Sequence, residues 1–453
     1  MSASCRRTVG LPGGMPVSSL ARRSSVSGSR VLLCLTALVA GLAAADWPQF
    51  RGPRRDGSST ETGLQQQWSA NGPPLVWQVD RIGAGYSSPV VQGDTVWITG
   101  DVGDDLAISA LDRRTGAVRW RVSNGLAWKG PYPGARSTCT LADGRLYVLN
   151  AHGRLLCADA ASGRELWATD ILRRFQGKNI QWGLSECLLV DRGRVIVTAG
   201  GDTAFLAALD GQSGQTVWSS PPLRFTRTVA FGGKPMKPPQ ADIDRAGYAS
   251  PILIETGERR FIAAVGARHT VLADANTGEL LWTCELPVLY DVIGAIPLWC
   301  DAGLLFSAPG VGARLLGITV TDGKVTVTER WRHPIDSCHG GFVQVSGLIY
   351  GSGYRLYDRW AALDGATGAI RHELPDLVKG CALFADQRLY ALTERGEMAL
   401  LRRAPEGLVS VSRFSLPGAP AADVWSHPAI ADGHLFVRRH DALFCYDIRA
   451  SIP

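Results

Sequence analysis

Short runs in which small and apolar residues alternate with polar ones recur along the chain, and the runs come in matched pairs. The fullest copy is LCADAASGRELW, from Leu156 to Trp167. It reads as a strand ending on an aspartate, a tight turn, and a second strand carrying a large ring. The same offsets appear at Asp112/Gly116/Trp120, Asp159/Gly163/Trp167, Asp210/Gly214/Trp218 and Asp274/Gly278/Trp282, while a fifth copy, Asp364/Gly368, ends in His372. The glycine suits the positive φ that such a turn requires. One hairpin cannot bury the ring, but a second copy stacked against it can, so the pattern predicts a repeat architecture.

A second set of runs precedes each motif. It extends from YSSPVVQGDTVWITG through RSTCTLADGRLYVLN and SECLLVDRGRVIVTAG to SHPAIADGHLFVRRH, in eight copies. Each unit therefore has four antiparallel strands at a spacing of about 47 residues, which is that of propeller blades. Two units depart: Gly323 precedes Trp331 by eight positions, and Phe414 stands where a tryptophan is expected. In the eighth unit Asp447 matches the motif aspartate, and the strand after it is supplied by PLVWQVD near the start, with Trp77 as its ring. The expectation is an all-β chain forming a single eight-bladed β-propeller over residues 75–453, monomeric, with the last blade closed by the N-terminal strand so that no sheet edge stays open.

Residues 1–45 hold five arginines and no acid, then the apolar run VLLCLTALVAGL and Ala43, Ala44 and Ala45. That order is a secretory signal peptide, cleaved near Ala45, and the run is too short to span a bilayer. Without it, 42 Lys and Arg face 41 Asp and Glu, about +1. Overall charge therefore gives nucleic-acid binding no support. Residues 46–74 form an irregular leader, rich in Pro, Gly and polar residues, whose deletion is expected to be milder than loss of Trp77. The eight cysteines after the signal are widely spaced and sit in apolar strand patterns, as free buried thiols do.

The repeated A/L-x-D-x-x-T/S-G-x-x-x-W resembles the tryptophan-docking motif of the pyrroloquinoline-quinone (PQQ)-type propellers, which include quinoprotein alcohol dehydrogenases and the outer-membrane-protein assembly lipoprotein. DWPQFRGPRRDG, WGLSECLLVD and HGGFVQVSGLIYGSG are similar to exported PQQ-like repeat proteins. The dehydrogenase branch implies a quinone on a tryptophan floor, Ca²⁺ held by carboxylates and an aspartate base, for which Trp182, Glu186, Asp291 and Arg136 are the right residue types. The adjacent-cysteine pair usual in that branch is absent from the sequence.

The longest connections, 121–138, 168–186 and 219–250, hold eleven Lys and Arg against four acids, with interleaved rings. They mark a loop-rich face over blades 2–4 as the site. Its expected rim is Trp128, Arg173, Arg174, Arg224 and Arg227, and its channel mouth Arg136, Trp182, Glu186, Tyr248, Asp291, His339, Trp425 and His427. The leading reading is a non-catalytic exported binding or scaffold protein that takes a protein partner or an anionic or sugar-like ligand, with no cofactor and no metal. A PQQ- and calcium-dependent alcohol or sugar dehydrogenase is the alternative, and a carbohydrate-binding module the third.

Overall fold

The computed structural model describes residues 46–257, 259–404, 407–418 and 423–450. The export signal expected in residues 1–45 lies outside the described residues. The described residues form eight four-stranded antiparallel sheets, seven of them built from strands A to D in chain order, and one additional hairpin. Blade 1 comprises Val90–Gln92, Thr95–Val102, Asp105–Asp112 and Val118–Leu126. Blades 2 to 7 follow at regular spacing, with inner strands beginning at Thr140, Leu189, Ile252, Leu298, Phe342 and Gly380. Blade 8 takes Ala429–Ala431, His434–Arg439 and Ala442–Asp447 from the end of the chain and Leu75–Val79 from its start. Trp77 lies opposite Cys445 in that seam, so closure by the N-terminal strand is as expected.

The motif holds the blades together in two ways. Its aspartate caps the turn: Asp159 Oδ1 accepts from the Ser162 backbone N–H at 2.8 Å and from its hydroxyl at 2.6 Å, and Asp112 does the same for Thr115 at 2.9 Å in both bonds. Its tryptophan sits at a register shift, for example Trp120 opposite Ala110 and Trp167 opposite Cys157, and a bulge there re-aims the ring toward the next blade. The ring then lies on the next blade's turn glycine. A Cβ on Gly163 would fall 2.7 Å from the Trp120 ring, so no larger residue fits there. The Trp167 indole Nε1 donates onward to Gly211 O at 3.0 Å.

The two departures have physical consequences. In blade 5 the outer hairpin runs on through Gly312–Thr321 and Lys324–His333, a Cβ on its turn glycine Gly323 would meet only open space, and Trp282 stays half-buried without a glycine platform. In blade 7 Phe414 packs on Gly72 from the leader.

The leader is more than a strap. Trp47 pairs with Val91 in blade 1, Pro48 O accepts from Leu141 in blade 2, and Gly57 and Ser59 bond Phe384 in blade 7. Asp46, Leu64 and Glu61 bond the A–B turns of blades 1, 7 and 8 at Gly93, Asp386 and Asp432. The leader therefore crosses the face opposite the long loops. Trp47, Leu64, Trp68 and Trp77 share one buried core with blades 1, 7 and 8.

Two of the long connections are structured rather than irregular. Ile171–Arg174 is one helical turn capped by Asp170, and residues 224–243 fold into a hairpin of Arg224–Val229 with Pro235–Ile243. Three prolines conceal the second strand from a pattern reading, because proline argues against a central strand yet is tolerated at a two-stranded edge.

Candidate functional site

Strand geometry builds the site. Just before each inner strand the backbone is extended, so residues two apart point the same way. Tyr86 and Ser88, Arg136 and Thr138, Ser185 and Cys187, Tyr248 and Ser250, and Trp425 and His427 thereby make two tiers lining one central cavity of about 350 Å³. The upper tier is mostly rings and arginine; the lower is small and polar. Phe50 of the leader lies at the inner end, with its ring 4.8 Å from that of His427 in an edge-to-face contact. With the leader across the opposite face, the cavity is a funnel open toward the long loops.

The lower tier is a belt of hydrogen bonds between blades. His427 N–H donates to Ser88 Oγ at 2.8 Å, Ser88 N–H to Thr138 Oγ1 at 2.8 Å, Thr138 N–H to Cys187 Sγ at 3.3 Å, and Cys187 N–H to Ser250 Oγ at 2.9 Å.

Of the residues expected at the mouth, Arg136, Trp182, Tyr248, His339, Trp425 and His427 line the funnel. Glu186 does not. Period two that turns Ser185 and Cys187 inward turns Glu186 away from the funnel, where both of its oxygens lie 3.1 Å from the Thr198 N–H. Burial raises its pKa to about 7, and Arg55 acts against that rise. Asp291 is also misplaced by the sequence reading: Tyr290 and Val292 face the funnel, while Asp291 is held by Arg227 at 3.0 and 3.2 Å and by Arg268 at 2.8 Å. Among the described residues no group of three or more acids, histidines or cysteines is placed to hold a metal.

His427 is buried and its tautomer is fixed. Arg51 Nη1 lies 3.3 Å from Nδ1, so Nδ1 is the acceptor and Nε2–H donates to His339 O at 2.9 Å. Burial first and the Arg51 charge second push its pKa down to about 3. His339 stacks on Trp425 with centroids 4.3 Å apart and 13° between planes. Its pKa falls to about 4 through burial and then Lys379. The residue is exposed where it faces the funnel, and solvent there weakens the desolvation that drives the drop. Arg136 bonds the carbonyls of Trp182 and Tyr132 and lies 5.3 Å over the Trp128 ring.

The expected rim is only partly a rim. Trp128 packs beneath Arg136, its Nε1 bonds Pro131 O at 3.0 Å, and Gly183 lies against it. Arg174 donates to Gly214 O at 2.7 Å, and Arg227 pairs with Asp242 at 2.6 Å. Arg173 and Arg224 are exposed.

The sequence reading missed Phe50, Tyr86, Tyr290, Tyr354 and Arg355, all of which line the funnel. YSS at 86–88 and YAS at 248–250 carried a signal, since the same period-two pair recurs at the same aligned place.

Fold and site together define an eight-bladed tryptophan-docking propeller with an axial, ring-lined funnel. The family model described as "Outer membrane protein assembly factor BamB" matches residues 104–233. The quinohemoprotein alcohol dehydrogenase ADH IIB of Pseudomonas putida is 29% identical over 170 residues, which are 35% of this chain and 22% of that protein. The quinohemoprotein alcohol dehydrogenase of Comamonas testosteroni is 27% identical over 29% of this chain and 18% of its own. The matched part thus spans about a fifth of these curated relatives. Among solved structures, BamB from Moraxella catarrhalis superposes with TM-score 0.56 at 16% identity, covering 84% of this chain and 98% of that one. The Comamonas testosteroni enzyme gives 0.60 at 12%, covering 90% and 81%. Likeness at such identity shows the fold alone. Residues 104–233 thus match the BamB family model, and the described chain shares the β-propeller fold of the BamB and quinohemoprotein structures.

Proposed function

We propose that this propeller is an exported, non-catalytic binding protein whose site is the axial funnel, and that it takes a ligand bearing a flat ring. The observation that carries this reading is the lining. Ten ring side chains, counting His339 and His427, and two arginines face the cavity, with no carboxylate among them. Aromatic walls bind flat groups by stacking and burial. A general base has little support there: His427 has both nitrogens engaged, and among the described residues His339 bonds no carboxylate that would orient it.

The residues do not fit the calcium ion that a quinone-dependent dehydrogenase would hold. Such a site needs several hard oxygens. Glu186 is turned away and Asp291 is neutralised by two arginines. Protein binding at the rim is the second reading, favoured by exposed Arg173 and Arg224.

Titration with a bicyclic aromatic such as 2-naphthamide, followed by tryptophan fluorescence, tests the proposal. Trp182 and Trp425 line the funnel, so saturable quenching at one equivalent is expected, weakened by Tyr248→Ala. Quinone- and calcium-dependent dye reduction on adding an alcohol overturns it in favour of the dehydrogenase, and binding of neutral sugars alone favours the third reading.

A further inference from the structure

A second pocket, of about 260 Å³, lies off the axis. Three segments wall it: residues 176–178 after the helical turn, residues 200–202 between strands B and C of blade 3, and the foot of the 224–243 hairpin with Arg245. It shares no lining residue with the funnel. Backbone contacts set its shape. A Cβ on Gly200 would fall 1.9 Å from Ala246 N and one on Gly201 2.1 Å from Phe175 O, so the segments meet where no side chain fits. Gly177 bridges Gly201, the Asp202 N–H donates to Gln176 O at 3.3 Å, and the Ala267 N–H donates to Arg245 O at 3.0 Å. A pocket held this way needs little reordering to take a ligand.

Its charge is one-sided. Lys178, Arg224 and Arg245 line it, the first two exposed and Arg245 half-buried, and none of their side chains has an ion-pair or hydrogen-bond partner among the described residues. The acids nearby are matched to other arginines. Asp242 lines the pocket but is held by Arg227 at 2.6 Å, while Asp291 and Glu285 hold Arg227 and Arg268. Asp202 is the one lining carboxylate with no cation on it among the described residues, so three uncompensated cations against it leave a local charge of +2. A cleft lined by one sign of charge focuses its field on whatever enters. The Gln176 amide and the Asp202 carboxylate, both without side-chain partners among the described residues, are suited to hydroxyl groups.

We propose that this off-axis pocket is a binding site for a phosphomonoester of a hydroxylated small molecule, with the phosphoryl group on Lys178, Arg224 and Arg245 and the hydroxyls on Gln176 and Asp202. A phosphomonoester carries close to two negative charges at neutral pH, which matches the pocket, and guanidinium forks suit its oxygens. A carboxylate brings only one charge. The site goes beyond the funnel reading, and each stands without the other.

Calorimetric titration at neutral pH and low salt with glucose 6-phosphate, glucuronate, inorganic phosphate and glucose tests the pocket. Glucose 6-phosphate is expected to bind at one equivalent, about tenfold more tightly than glucuronate or inorganic phosphate, with no heat from glucose. Lys178→Gln with Arg245→Gln should weaken it by about tenfold or more, while quenching by 2-naphthamide in the funnel stays unchanged and reports an intact fold. Lys234→Gln removes an exposed charge from the turn of the same hairpin, outside the pocket, and should change affinity by less than about twofold. Should the double variant fail to fold, Lys178→Gln alone, at an exposed side chain, should still weaken binding about threefold. Equal affinities for glucose 6-phosphate and glucuronate overturn the phosphomonoester and leave a carboxylate site. Inorganic phosphate binding as tightly as the ester overturns the hydroxyl contacts. Affinity that survives the double variant overturns the location, and no binding by any probe shows the three cations to be solvated charges. Absence of 2-naphthamide quenching in the wild type removes the funnel reading and leaves this pocket standing.

Discussion

Arg51 Nη1 lies 3.3 Å from Nδ1 of His427, joining the leader to blade 8 beneath the funnel. The same guanidinium takes the carbonyls of Gly340 and Phe342 in and beside blade 6. Arg51→Met should therefore cost about 2–4 kcal/mol, because buried carbonyls lose their partners. The pair also sets an acid limb. His427 has its pKa lowered to about 3, so below the ordinary value near 6.5 the unfolded chain binds a proton that the folded chain refuses. Stability present above pH 6.5 is lost as pH falls toward 3, and His339 adds in the same direction. Urea melts at pH 7 and pH 5 should show a smaller pH difference in Arg51→Met than in wild type.

Trp77→Ala should cost roughly 3–5 kcal/mol, as emptying a buried ring site does. Removal of residues 46–74 is now expected to be the more damaging change, reversing the order given by the sequence. That segment contributes Trp47 to the core and buries Arg51 and Arg55 against several blades. Thermal melts of the two variants side by side decide the order; a truncated protein that melts above Trp77→Ala contradicts it.

Glu186 gives a pH dependence of opposite sign. Its folded pKa is raised from 4.5 to about 7 by burial, so between those values the folded chain keeps a proton the unfolded chain has lost. Its contribution falls as pH rises through that window and is flat above it. Glu186→Gln retains an amide oxygen for the Thr198 N–H and removes the titration. It should gain on the order of 2–3 kcal/mol at pH 8 and little at pH 4, measured by denaturant melts at both pH values.

What the chain reveals by pattern and what it hides divide on physical lines. The blades were legible because the ring at Trp120 or Trp167 and the glycine it lies on recur at fixed offsets. Of the six mouth residues, His339, Trp425 and His427 were legible because each stands at the start of an inner strand, and Arg136, Trp182 and Tyr248 because they fall in the long, ring-bearing connections. Glu186 and Asp291 were misplaced by choosing acids for their chemistry without applying period two, which turns their neighbours Ser185, Cys187, Tyr290 and Val292 inward. Phe50 was hidden more deeply: no local periodicity marks residues 46–57, and the position of Phe50 depends on contacts with blades hundreds of residues away. Arg227 looked like a free cation because its partner Asp291 is 64 positions distant.

All eight described cysteines are free, seven of them buried and Cys284 half-buried. Burial pushes the Cys338 and Cys381 thiols up to about 12, which suppresses the reactive thiolate. A native protein beginning at Asp46 should give one fast thiol with an exposed-thiol reagent, and eight after denaturation. A Cys139–Cys187 disulfide peptide in a non-reducing digest is the contrary result.

The basic rim has to be tested with two arginines rather than four. Arg227 pairs with Asp242 and Asp291, and its side chain is only 14% exposed, so Arg227→Ser strips two carboxylates of their partner and should lower the melting temperature. Arg174 is held by Gly214 O. Arg173 and Arg224 are exposed and form no ion pair among the described residues, so Arg173→Ser with Arg224→Ser changes surface charge while sparing the fold. Exposed charges are screened over about 8 Å near 0.15 M salt, so binding that uses them must weaken as salt rises. If the rim holds an acidic partner, the double variant should elute from a heparin column at lower salt than wild type, with an unchanged melt. Equal elution positions would show that these arginines are solvated charges that take no part in binding, leaving the axial funnel as the site to pursue.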